Sequence, residues 1–268
     1  MTTRVYYNEW EPYCAQWLRN LIDAGRLPPG DVDERSITDV EPEELKGYTQ
    51  HHFFAGIGGW ALAAKLAGVS ESERIVTGSP PCQPFSTAGR GGGYSDERHL
   101  APHWLRLVAA IRPTWVFGEQ VAAAIRKDDW LDDLLDALEA EGYATGATVL
   151  PACSVGAPHI RQRLWVVARL ANSNNKGLQR PRKPINQHVS TGWGFEKGCY
   201  QQSTLDADVW KETFYPDEGA DGTLRYMPQE DFSGVDGIPH RMGSIRAYGN
   251  AIVPQVAAEV IKGAIGEY

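Results

Sequence analysis

A cysteine enclosed by prolines is the residue whose surroundings most clearly suit chemistry. It stands in the segment Ser79–Ser86 (SPPCQPFS), directly after a predicted strand. In a doubly wound α/β fold, ligands bind at the carboxyl ends of the strands. A thiolate is a strong nucleophile near neutral pH, and the three prolines would present it rigidly at such an end. A lone cysteine at a turn is more often a small buried side chain, but the prolines favour a nucleophile.

Four other segments combine residue types that suit ligand binding or catalysis. They are Phe53–Gly59 (FFAGIGG), Glu119–Val121 (EQV), Arg161–Arg163 (RQR) and Tyr248–Ala251 (YGNA). The first is a glycine turn after a predicted strand, where the backbone can approach a ligand closely. Alone, the others are weak signals. A carboxylate at a strand end often only caps a helix, and alternate arginines on a strand share one face in ordinary packing.

Taken together, the five segments resemble motifs of the cytosine carbon-5 DNA methyltransferases. The cysteine segment resembles the nucleophile motif of that family, and the glycine turn resembles its cofactor-binding motif. Glu119–Val121 stands where the family has Glu-Asn-Val, and the last two segments resemble its Arg-x-Arg and C-terminal Gly-Asn motifs. The five motifs spread over about 200 residues, and only the region 171–241 falls outside the resemblance.

The resemblance implies methyl transfer from S-adenosylmethionine to carbon 5 of cytosine. Carbon 5 is a weak nucleophile, but a thiolate that adds to carbon 6 converts the ring into an enamine that can attack the methyl sulfonium. Cys82 would therefore be the nucleophile. Glu119 would keep the ring nitrogen protonated and contact the exocyclic amine. Arg163 would hold the carbonyl oxygen of cytosine, and Arg161 would contact a phosphate or support the site.

For the cofactor, the resemblance implies the glycine turn together with one proline and the Gly-Asn segment. The residues assigned in this way are Phe54, Ala55, Gly56, Ile57, Gly58, Gly59, Pro81, Asn250 and Ala251. Because S-adenosylmethionine has no phosphate, the glycines would accommodate its methionine part. One residue departs from the family pattern, which has an acid at the start of this motif where His52 stands here. We expect weaker contacts to the methionine amino group as a result.

The ribose and adenine motifs of the family stand upstream of the glycine turn, whereas in the family they follow it. Between Gly59 and Cys82 there is room for only one helix and one strand. Upstream, Tyr7–Trp10 (YNEW) resembles the ribose motif and Gly30–Val32 (GDV) the adenine motif. The sequence therefore predicts a circularly permuted core, a change that is physically cheap where chain termini lie close together at the surface.

In this arrangement the first fifty residues belong to the cofactor pocket. Glu9 would accept hydrogen bonds from both ribose hydroxyls, and Trp10 would stack on the adenine. Asp31 would accept from the adenine amine, with Val32 beside it. A buried aromatic residue at the start of a helix is the alternative interpretation of Trp10.

The elements that must position these residues alternate between strand and helix. The apolar pattern predicts strands at 4–8, 30–32, 51–54, 74–78, 114–118, 143–150 and 164–170. It predicts helices at 11–24, 41–45, 58–67, 99–111, 130–141 and 248–264. Such alternation predicts a doubly wound, mostly parallel α/β sheet. The catalytic and cofactor-binding core would comprise 1–170 and 242–268, and 171–241 would form a small, irregular target-recognition region.

Basic residues are concentrated near that region, although the chain as a whole carries a net charge of −8. From residue 161 to 200 there are eight Lys or Arg and one acid, whereas the first fifty residues hold ten acids and five bases. A phosphate backbone would be attracted to the basic window, where Arg180, Arg182 and Lys183 are the predicted contacts. A solvated charged loop is the alternative interpretation.

The loop after the cysteine predicts further DNA contacts. Residues 86–96 contain four glycines. We interpret this loop as a lid over a flipped base, with Gln83, Ser86 and Arg90 on the DNA. A flexible surface loop without such a role is the alternative.

Composition limits the class of protein. The chain has 268 residues, of which 42% are hydrophobic, and it contains no apolar run of the roughly 20 residues that span a bilayer. The start of the sequence lacks the apolar core of a signal peptide, so we expect a cytoplasmic protein. The four cysteines are far apart, which argues against a zinc site and against a disulfide framework.

The expected function is therefore methylation of cytosine in duplex DNA by a monomer, with a cognate restriction endonuclease as a candidate partner. Three alternatives remain: a carbon-5 methyltransferase acting on transfer RNA, a catalytically silent DNA-binding homologue and a small-molecule methyltransferase. The presence of Cys82, Glu119 and Arg163 argues against the second. The basic, amide-rich insert argues against the third, because it suits phosphates and base edges.

Overall fold

The structure is a computed structural model of the chain. It describes residues 5–81, 100–126, 130–157, 159–171, 214–218, 224–228 and 250–266. Part of the predicted site lies outside these ranges, namely Cys82, Gln83, Ser86, Arg90, Arg180, Arg182 and Lys183. For the remaining predicted residues the structure gives positions and contacts.

The described part of the core follows the predicted order of strands and helices. The strands are β1 (Val5–Asn8), β2 (Gly30–Asp33), β3 (Gln50–Phe53), β4 (Ile75–Gly78), β5 (Trp115–Val121), β6 (Tyr143–Pro151) and β7 (Gln162–Leu170). The helices are α1 (Pro12–Asp23), α2 (Gly59–Leu66), α3 (Ala101–Ile111), α4 (Trp130–Ala140) and α5 (Pro254–Ile265). Short 3-10 turns lie at Ile37–Asp39, Pro42–Leu45, Ala122–Arg126 and Ala152–Val155. Each predicted strand of the core is confirmed, with ends shifted by a few residues, and so are the predicted helices apart from two differences. The helix predicted at 41–45 is a 3-10 turn, and the last helix begins at Pro254 instead of 248.

The strands form one seven-stranded sheet in the order β2-β1-β3-β4-β5-β7-β6. Neighbours among β1 to β5 pair in parallel, whereas β7 runs antiparallel to both β5 and β6. The predicted doubly wound, mostly parallel α/β sheet is thereby confirmed. Because the carboxyl ends of parallel strands share one edge, the segments that follow β1, β3 and β4 begin next to one another.

Buried side chains cover both faces of the sheet, as is typical of parallel sheets. On one face, α3 and α4 supply Trp104 and Leu134 to a cluster that includes Val116 of β5. On the other face, α2 and α5 pack Trp60 and Val256 against strand residues. Helix α1 covers the β1 region of the sheet with a third, smaller cluster. Packing on both faces fixes the strand ends relative to one another.

Gly78 allows α3 to lie close to the end of β4. A Cβ at this position would be 2.7 Å from the indole of Trp104, which is closer than real Cβ atoms approach other heavy atoms. Trp104 is completely buried, so it has little freedom to move aside. A side chain at position 78 would therefore displace the strand end from which Ser79 follows.

Two strands of the site, β5 and β7, extend two or three residues further than the sequence predicts. β5 continues to Val121, and β7 begins at Gln162. Glu119 and Arg163 therefore lie within paired strands rather than beyond strand ends, with Val121 opposite Arg163 and Glu119 opposite Trp165. The antiparallel pairing of β5 with β7 is a long-range contact, so the local sequence pattern does not reveal where the ladder stops.

The region expected to be irregular contains a short antiparallel hairpin. Its strands are β8 (Phe214–Glu218) and β9 (Leu224–Pro228). The sequence predicts neither of these strands within the small irregular region. Each has five residues and includes a proline, so neither gives an alternating pattern that could be recognised in the sequence.

Candidate active site

The candidate active site lies where β4 ends beside β5. Gly78 of β4 pairs with Gly118 of β5, so the next residues, Ser79 and Glu119, are neighbours. Ser79 opens the segment that leads through Pro80 to the predicted nucleophile. The parallel register thus brings the start of the cysteine motif next to a carboxyl group that is distant in sequence.

Glu119 and Arg163 form a buried ion pair in this site. Nε of Arg163 lies 2.8 Å from Oε1 of Glu119, whose side chain is only 8% exposed. Burial raises the pKa of Glu119, while Arg163, Arg161 and a hydrogen bond with Ser79 oppose the rise. A carboxyl group with a raised pKa keeps its proton to higher pH, as a general acid requires. The structure therefore brings together the predicted acid and the predicted base-binding arginine.

Gln120, for which the sequence predicts no role, connects β5 with the segment before Cys82. Its Nε2 donates to the carbonyl oxygen of Pro80 at 3.1 Å, and its Oε1 accepts from the backbone N–H of Val121 at 2.8 Å. Both polar atoms of the buried amide are therefore bonded. The available signal was the position of Gln120 in the Glu-x-Val segment, where the resembling family has the shorter Asn.

Arg161 connects the start of β7 with the segment before α5. Its Nη2 donates to the carbonyl oxygen of Ala251 at 3.0 Å. Burial and the neighbouring Arg163 lower the pKa of Arg161. Of the two roles left open by the sequence, this contact favours support of the site over a phosphate contact, because it fixes the Gly-Asn segment beside the active-site strand.

The Gly-Asn segment also lies against the glycine turn. Ile252, which follows Ala251, is so close that a Cβ at Gly59 would be 2.7 Å from its side chain. Ile252 is buried, whereas Asn250 is exposed. The glycine turn and the end of the Gly-Asn segment are therefore close together, although about 190 residues separate them in sequence.

The glycine turn after β3 has a backbone that leaves room for a ligand. Phe54, Gly56 and Gly58 have positive φ angles of 52°, 55° and 89°. The positive φ of Phe54 is uncommon for a residue with a Cβ and marks a strained turn, which is typical of functional sites. A Cβ at Gly56 would meet no atom within 4 Å, so this residue borders open space. The turn fits the cofactor-binding role predicted for it.

Glu9, which directly follows β1, lies against the glycine turn that follows β3. Its Oε2 accepts from the backbone N–H of Gly56 at 2.7 Å, and its Oε1 from that of Glu11 at 2.9 Å. Burial raises the pKa of Glu9, and these two hydrogen bonds oppose the rise. Trp10, the next residue, is 74% exposed. The predicted ribose ligand is thus at the turn, and the ring predicted to stack on adenine is accessible.

Asp31, the predicted adenine ligand, does not stand at the end of its strand. It pairs with Tyr6 inside the ladder, and its carboxylate accepts a hydrogen bond of 2.6 Å from Tyr48. The acid at the carboxyl end of β2 is Asp33, whose carbonyl oxygen accepts from the backbone N–H of Glu9 at 3.0 Å. Asp33 is therefore nearer to the ribose candidate than Asp31, because β2 continues beyond the predicted Gly30–Val32.

The other residues assigned to the cofactor surround the turn with different degrees of burial. Ala55 and Gly58 are buried, whereas Ile57, Gly59, Val32 and Pro81 are partly exposed. Val32 packs against the cluster that α1 forms with β1. Pro81 is the last described residue before Cys82.

His52 is buried between side chains of the two strands next to its own, β1 and β4. Its Nδ1 lies 2.8 Å from the hydroxyl oxygen of Thr77, and its ring contacts that of Tyr7, with centroids 5.5 Å apart. Burial lowers the pKa of His52 to about 3. A neutral ring with contacts on both neighbouring strands accommodates the departure from the family's acid. The expected weakening of contacts to the methionine amino group stays a prediction.

Within the described ranges, no group of three or more His, Cys, Asp or Glu side chains could hold a metal ion. None of the helices in this part of the chain combines the length and apolar character needed to cross a membrane.

The sequence is similar to known methylases. The family model for the C-5 cytosine-specific DNA methylase matches residues 69–218, which is more than half of the chain. The type II methyltransferase M.HgiDI of Herpetosiphon aurantiacus is 34% identical over 98 residues, or 37% of this chain and 31% of the relative. M.BsuFI of Bacillus subtilis is 26% identical over 222 residues, or 78% of this chain and 46% of the relative. The chain thus spans about a third to a half of the length of these relatives.

A solved structure has a similar fold over nearly the whole chain. The methyltransferase EhMeth of Entamoeba histolytica matches with a TM-score of 0.51 and 13% identity, covering 98% of both chains. At this identity the likeness concerns the fold alone. It agrees with the seven-stranded, mainly parallel sheet described above.

Proposed function

Because this chain belongs to the C-5 cytosine-specific DNA methylase family, we propose that it transfers a methyl group from S-adenosylmethionine to carbon 5 of a flipped cytosine in duplex DNA. The observation that carries the proposal is the buried Glu119–Arg163 pair beside the segment leading into Cys82. A cytosine in this site would meet an acid at its ring nitrogen and a guanidinium at its carbonyl oxygen. The thiolate of Cys82 would then add to carbon 6. Stacking shields that carbon in a duplex, so the base must be extruded.

Glu119 acts in its protonated form in this proposal. The ring nitrogen N3 of cytosine is an acceptor, so a carboxyl group that bonds to it must supply the proton. Protonation at N3 also neutralises the charge that thiolate addition places on the ring. The raised pKa of Glu119 supports this role. Arg163 gives N–H groups to Glu119 and to the carbonyl oxygen of Gln162, and a guanidinium has five, so donors remain for the cytosine oxygen.

The residues around the glycine turn fit S-adenosylmethionine, which supplies an electrophilic methyl group when bound. Glu9 accepts two backbone hydrogen bonds, and a carboxylate has about four lone-pair sites, so it can also accept from ribose hydroxyls. The exposed ring of Trp10 suits the adenine. Gly56 borders open space in which the methionine part can lie.

The order of the strands supports the proposal that the ribose and adenine motifs precede the glycine turn in this chain. In the resembling family the glycine turn comes first, then the ribose and adenine motifs, then the nucleophile. Here β1 and β2 precede β3 in the chain and lie beside it in the sheet. We regard this as an exchange of two adjacent blocks, because a circular permutation would keep the cyclic order and put the glycine turn after the nucleophile. The family match begins at residue 69, beyond the turn, as expected if the order upstream differs.

The DNA-binding part of the proposal rests on charge and composition. The region 171–241 would recognise the target sequence, and the cytoplasm is the expected location. Phosphates and the neighbourhood of the flipped base would be contacted by Arg180, Arg182, Lys183, Gln83, Ser86 and Arg90. The relatives named above are type II methyltransferases, which supports a restriction–modification context and a cognate endonuclease as partner.

Replacement of the nucleophile tests the proposal. Cys82→Ser should abolish methyl transfer, because the high pKa of an alcohol leaves almost no alkoxide to add to the ring. The native protein should also form a covalent complex with duplex DNA that carries 5-fluorocytosine at the target, detectable on a denaturing gel. Cys153→Ser is the matched control, since Cys153 is a free, exposed cysteine and should be dispensable for both.

Three outcomes would contradict the proposal in different ways. Methylation of transfer RNA without methylation of duplex DNA would assign another substrate. Methylation of DNA by Cys82→Ser at the native rate would rule out the covalent step. A protein that binds DNA and methylates neither nucleic acid would correspond to the silent homologue.

A further inference from the structure

A serine hydroxyl lies between an indole and the carboxyl group of Glu119. Nε1 of Trp60 donates a hydrogen bond to Oγ of Ser79 at 3.0 Å. Ser79 and Glu119 directly follow the paired residues Gly78 and Gly118, and the side chain of Ser79 hydrogen-bonds the neighbouring carboxyl group. Trp60 is 2% exposed and Glu119 8% exposed, so water competes little for these bonds. Neither the hydroxyl nor the indole has a role in the proposed function above.

The chemistry of the indole fixes the direction of this chain of hydrogen bonds. An indole N–H can only donate, so the oxygen of Ser79 must accept from Trp60. The single hydroxyl hydrogen of Ser79 is then directed to Glu119, which accepts it. A second donor, Nε of Arg163, reaches Oε1 of the same carboxyl group at 2.8 Å. Because β5 lies between β4 and β7, the two donors come from opposite sides.

We propose that Ser79 is a positioning residue for Glu119, and that Trp60 acts through Ser79 by holding its hydroxyl as a donor. The inference rests on the proposed function, in which Glu119 contacts the ring nitrogen of cytosine. Donors on both sides hold the carboxyl group in one orientation and leave its remaining hydrogen-bonding positions for the base. Trp60 lies at the start of α2, directly after the glycine turn. The series of hydrogen bonds from Trp60 through Ser79 therefore also connects the proposed cofactor-binding segment with Glu119.

The hydroxyl has an electrostatic consequence that can be measured. In the part of the chain that the structure describes, the charged groups facing Glu119 are Arg163 and Arg161, from the β7 side, and Ser79 faces it from the β4 side. A hydroxyl donor stabilises the ionised carboxylate more than the acid. Ser79→Ala removes this donor and leaves both arginines, so the pKa of Glu119 should rise.

Carbon-13 NMR of the free protein tests the proposal without any turnover. In protein labelled at the glutamate carboxyl carbons, the Glu119 signal is identified by its loss in Glu119→Gln. Its titration midpoint should move up by on the order of one pH unit in Ser79→Ala, as expected for the loss of one hydrogen bond to a charged group. Ser79→Thr keeps the hydroxyl and should restore the native midpoint. An unchanged midpoint in Ser79→Ala would overturn the proposal.

The role of Trp60 is tested by coupling. Trp60→Phe keeps an aromatic ring and loses the N–H, so we expect a smaller upward shift of the same midpoint. In the Ser79→Ala background this change should have no further effect, because its effect passes through the hydroxyl. An equal shift in both backgrounds would contradict the role assigned to Trp60. Thermal unfolding of each variant separates loss of the bond from loss of the fold.

A methyl-transfer assay distinguishes this inference from the proposed function. If Glu119 acts as the acid, the alkaline limb of the pH profile of kcat/KM, which reports the free protein, should move up in Ser79→Ala by the same amount as the NMR midpoint. A shifted midpoint in a protein that methylates no DNA would contradict the proposed function and retain the hydrogen-bond chain. If the native protein methylates DNA and the midpoint is unshifted in Ser79→Ala, the hydrogen-bond chain is contradicted and the proposed function is retained.

Discussion

The buried polar residues of this protein are concentrated on the strands that carry the candidate site. In the described parts of the chain they are Asn8, Glu9, Gln50, His51, His52, Thr77, Glu119 and Gln120. All of them lie on β1, β3, β4 and β5 or directly after one of these strands. Burial of a polar group is unfavourable unless it is hydrogen-bonded, so an apolar sheet would be the simpler way to build a stable core. We therefore infer that the three at the carboxyl ends of their strands, Glu9, Glu119 and Gln120, serve the site more than the fold.

Gln120 provides a test of this inference for a single residue. Gln120→Leu keeps the size of the side chain but leaves the buried carbonyl oxygen of Pro80 without its donor. The free energy of unfolding should fall by about 1–3 kcal/mol, measured by urea denaturation. Methyl transfer and trapping by 5-fluorocytosine should slow, because Pro80 leads into the nucleophile. The affinity for S-adenosylhomocysteine should stay near its native value.

Gln16→Leu is the matched control for that change. The amide of Gln16 is exposed and bonds only to Asn20 one turn along α1 among the contacts described. Its loss should alter stability by less than about 0.5 kcal/mol. If Gln120→Leu were as harmless as Gln16→Leu in both assays, the contact with Pro80 would have no part in presenting the nucleophile.

Among the elements, β1 has the most unexpected role. It comes first in the chain, yet it lies between β2 and β3, and the residue after it bonds to the glycine turn. Its side chains are buried on both faces, so the strand is part of the core and not an extension of it. In the proposed function, the cofactor pocket would therefore be completed by a segment that a truncation of the first fifty residues would remove.

Glu9→Ala tests whether β1 serves the cofactor. The change removes a charge-assisted acceptor for two ribose hydroxyls, which should weaken binding of S-adenosylhomocysteine by roughly 30- to 1000-fold. It also releases the N–H of Gly56, so the turn itself should loosen. Calorimetric titration measures the affinity, with Glu43→Ala at an exposed acid as the control. Near-native affinity in a folded Glu9→Ala protein would mean that Glu9 does not bind the ribose.

The elements of the core were predictable from the sequence because each has a clear local pattern, whereas β8 and β9 have none. Apolar runs bounded by Gly, Pro and polar residues located all the core strands, and motif spacing located Glu119 and Arg163. Contacts between elements were not predictable. The contact of Gln120 with Pro80 depends on the register of β5 against β4. That Asp33 lies nearer to Glu9 than Asp31 does depends on where β2 ends. Both are set by pairing with other strands, which local patterns do not encode.

For the molecule as a whole, the distribution of charge predicts how it meets DNA. The net charge is −8, and eight of the basic residues fall between 161 and 200. Replacement of Arg180, Arg182 and Lys183 together should weaken DNA binding and flatten its salt dependence, because fewer counterions are released. Cofactor affinity should not change. Fluorescence anisotropy over a range of salt concentrations measures this, and an unchanged slope would mean that the cluster is a solvated loop.

Stability of the whole molecule should depend on pH through two buried histidines. Burial lowers the pKa of His51 to about 4 and that of His52 to about 3, whereas a histidine in the unfolded chain titrates near 6.5. Below pH 6.5 the unfolded chain therefore binds protons that the folded protein does not, and stability falls as the pH falls. The buried carboxyl groups of Glu9 and Glu119 act in the opposite sense, because their pKa values are raised.

A histidine variant isolates this effect from that of the carboxyl groups. Each buried histidine should cost about 1.4 kcal/mol of unfolding free energy per pH unit once the pH is well below 6.5, so the pair should cost about 3 kcal/mol between pH 6.5 and pH 5. His52→Gln keeps a polar side chain of similar size and removes one of the two groups, so about half of that loss should disappear. Urea denaturation at the two pH values gives the difference directly, and the carboxyl contributions cancel between native protein and variant. His103→Gln, at a partly exposed position on α3, is the control and should keep the native difference. If His52→Gln lost as much stability on acidification as the native protein, His52 would have to be protonated in the folded state at pH 5.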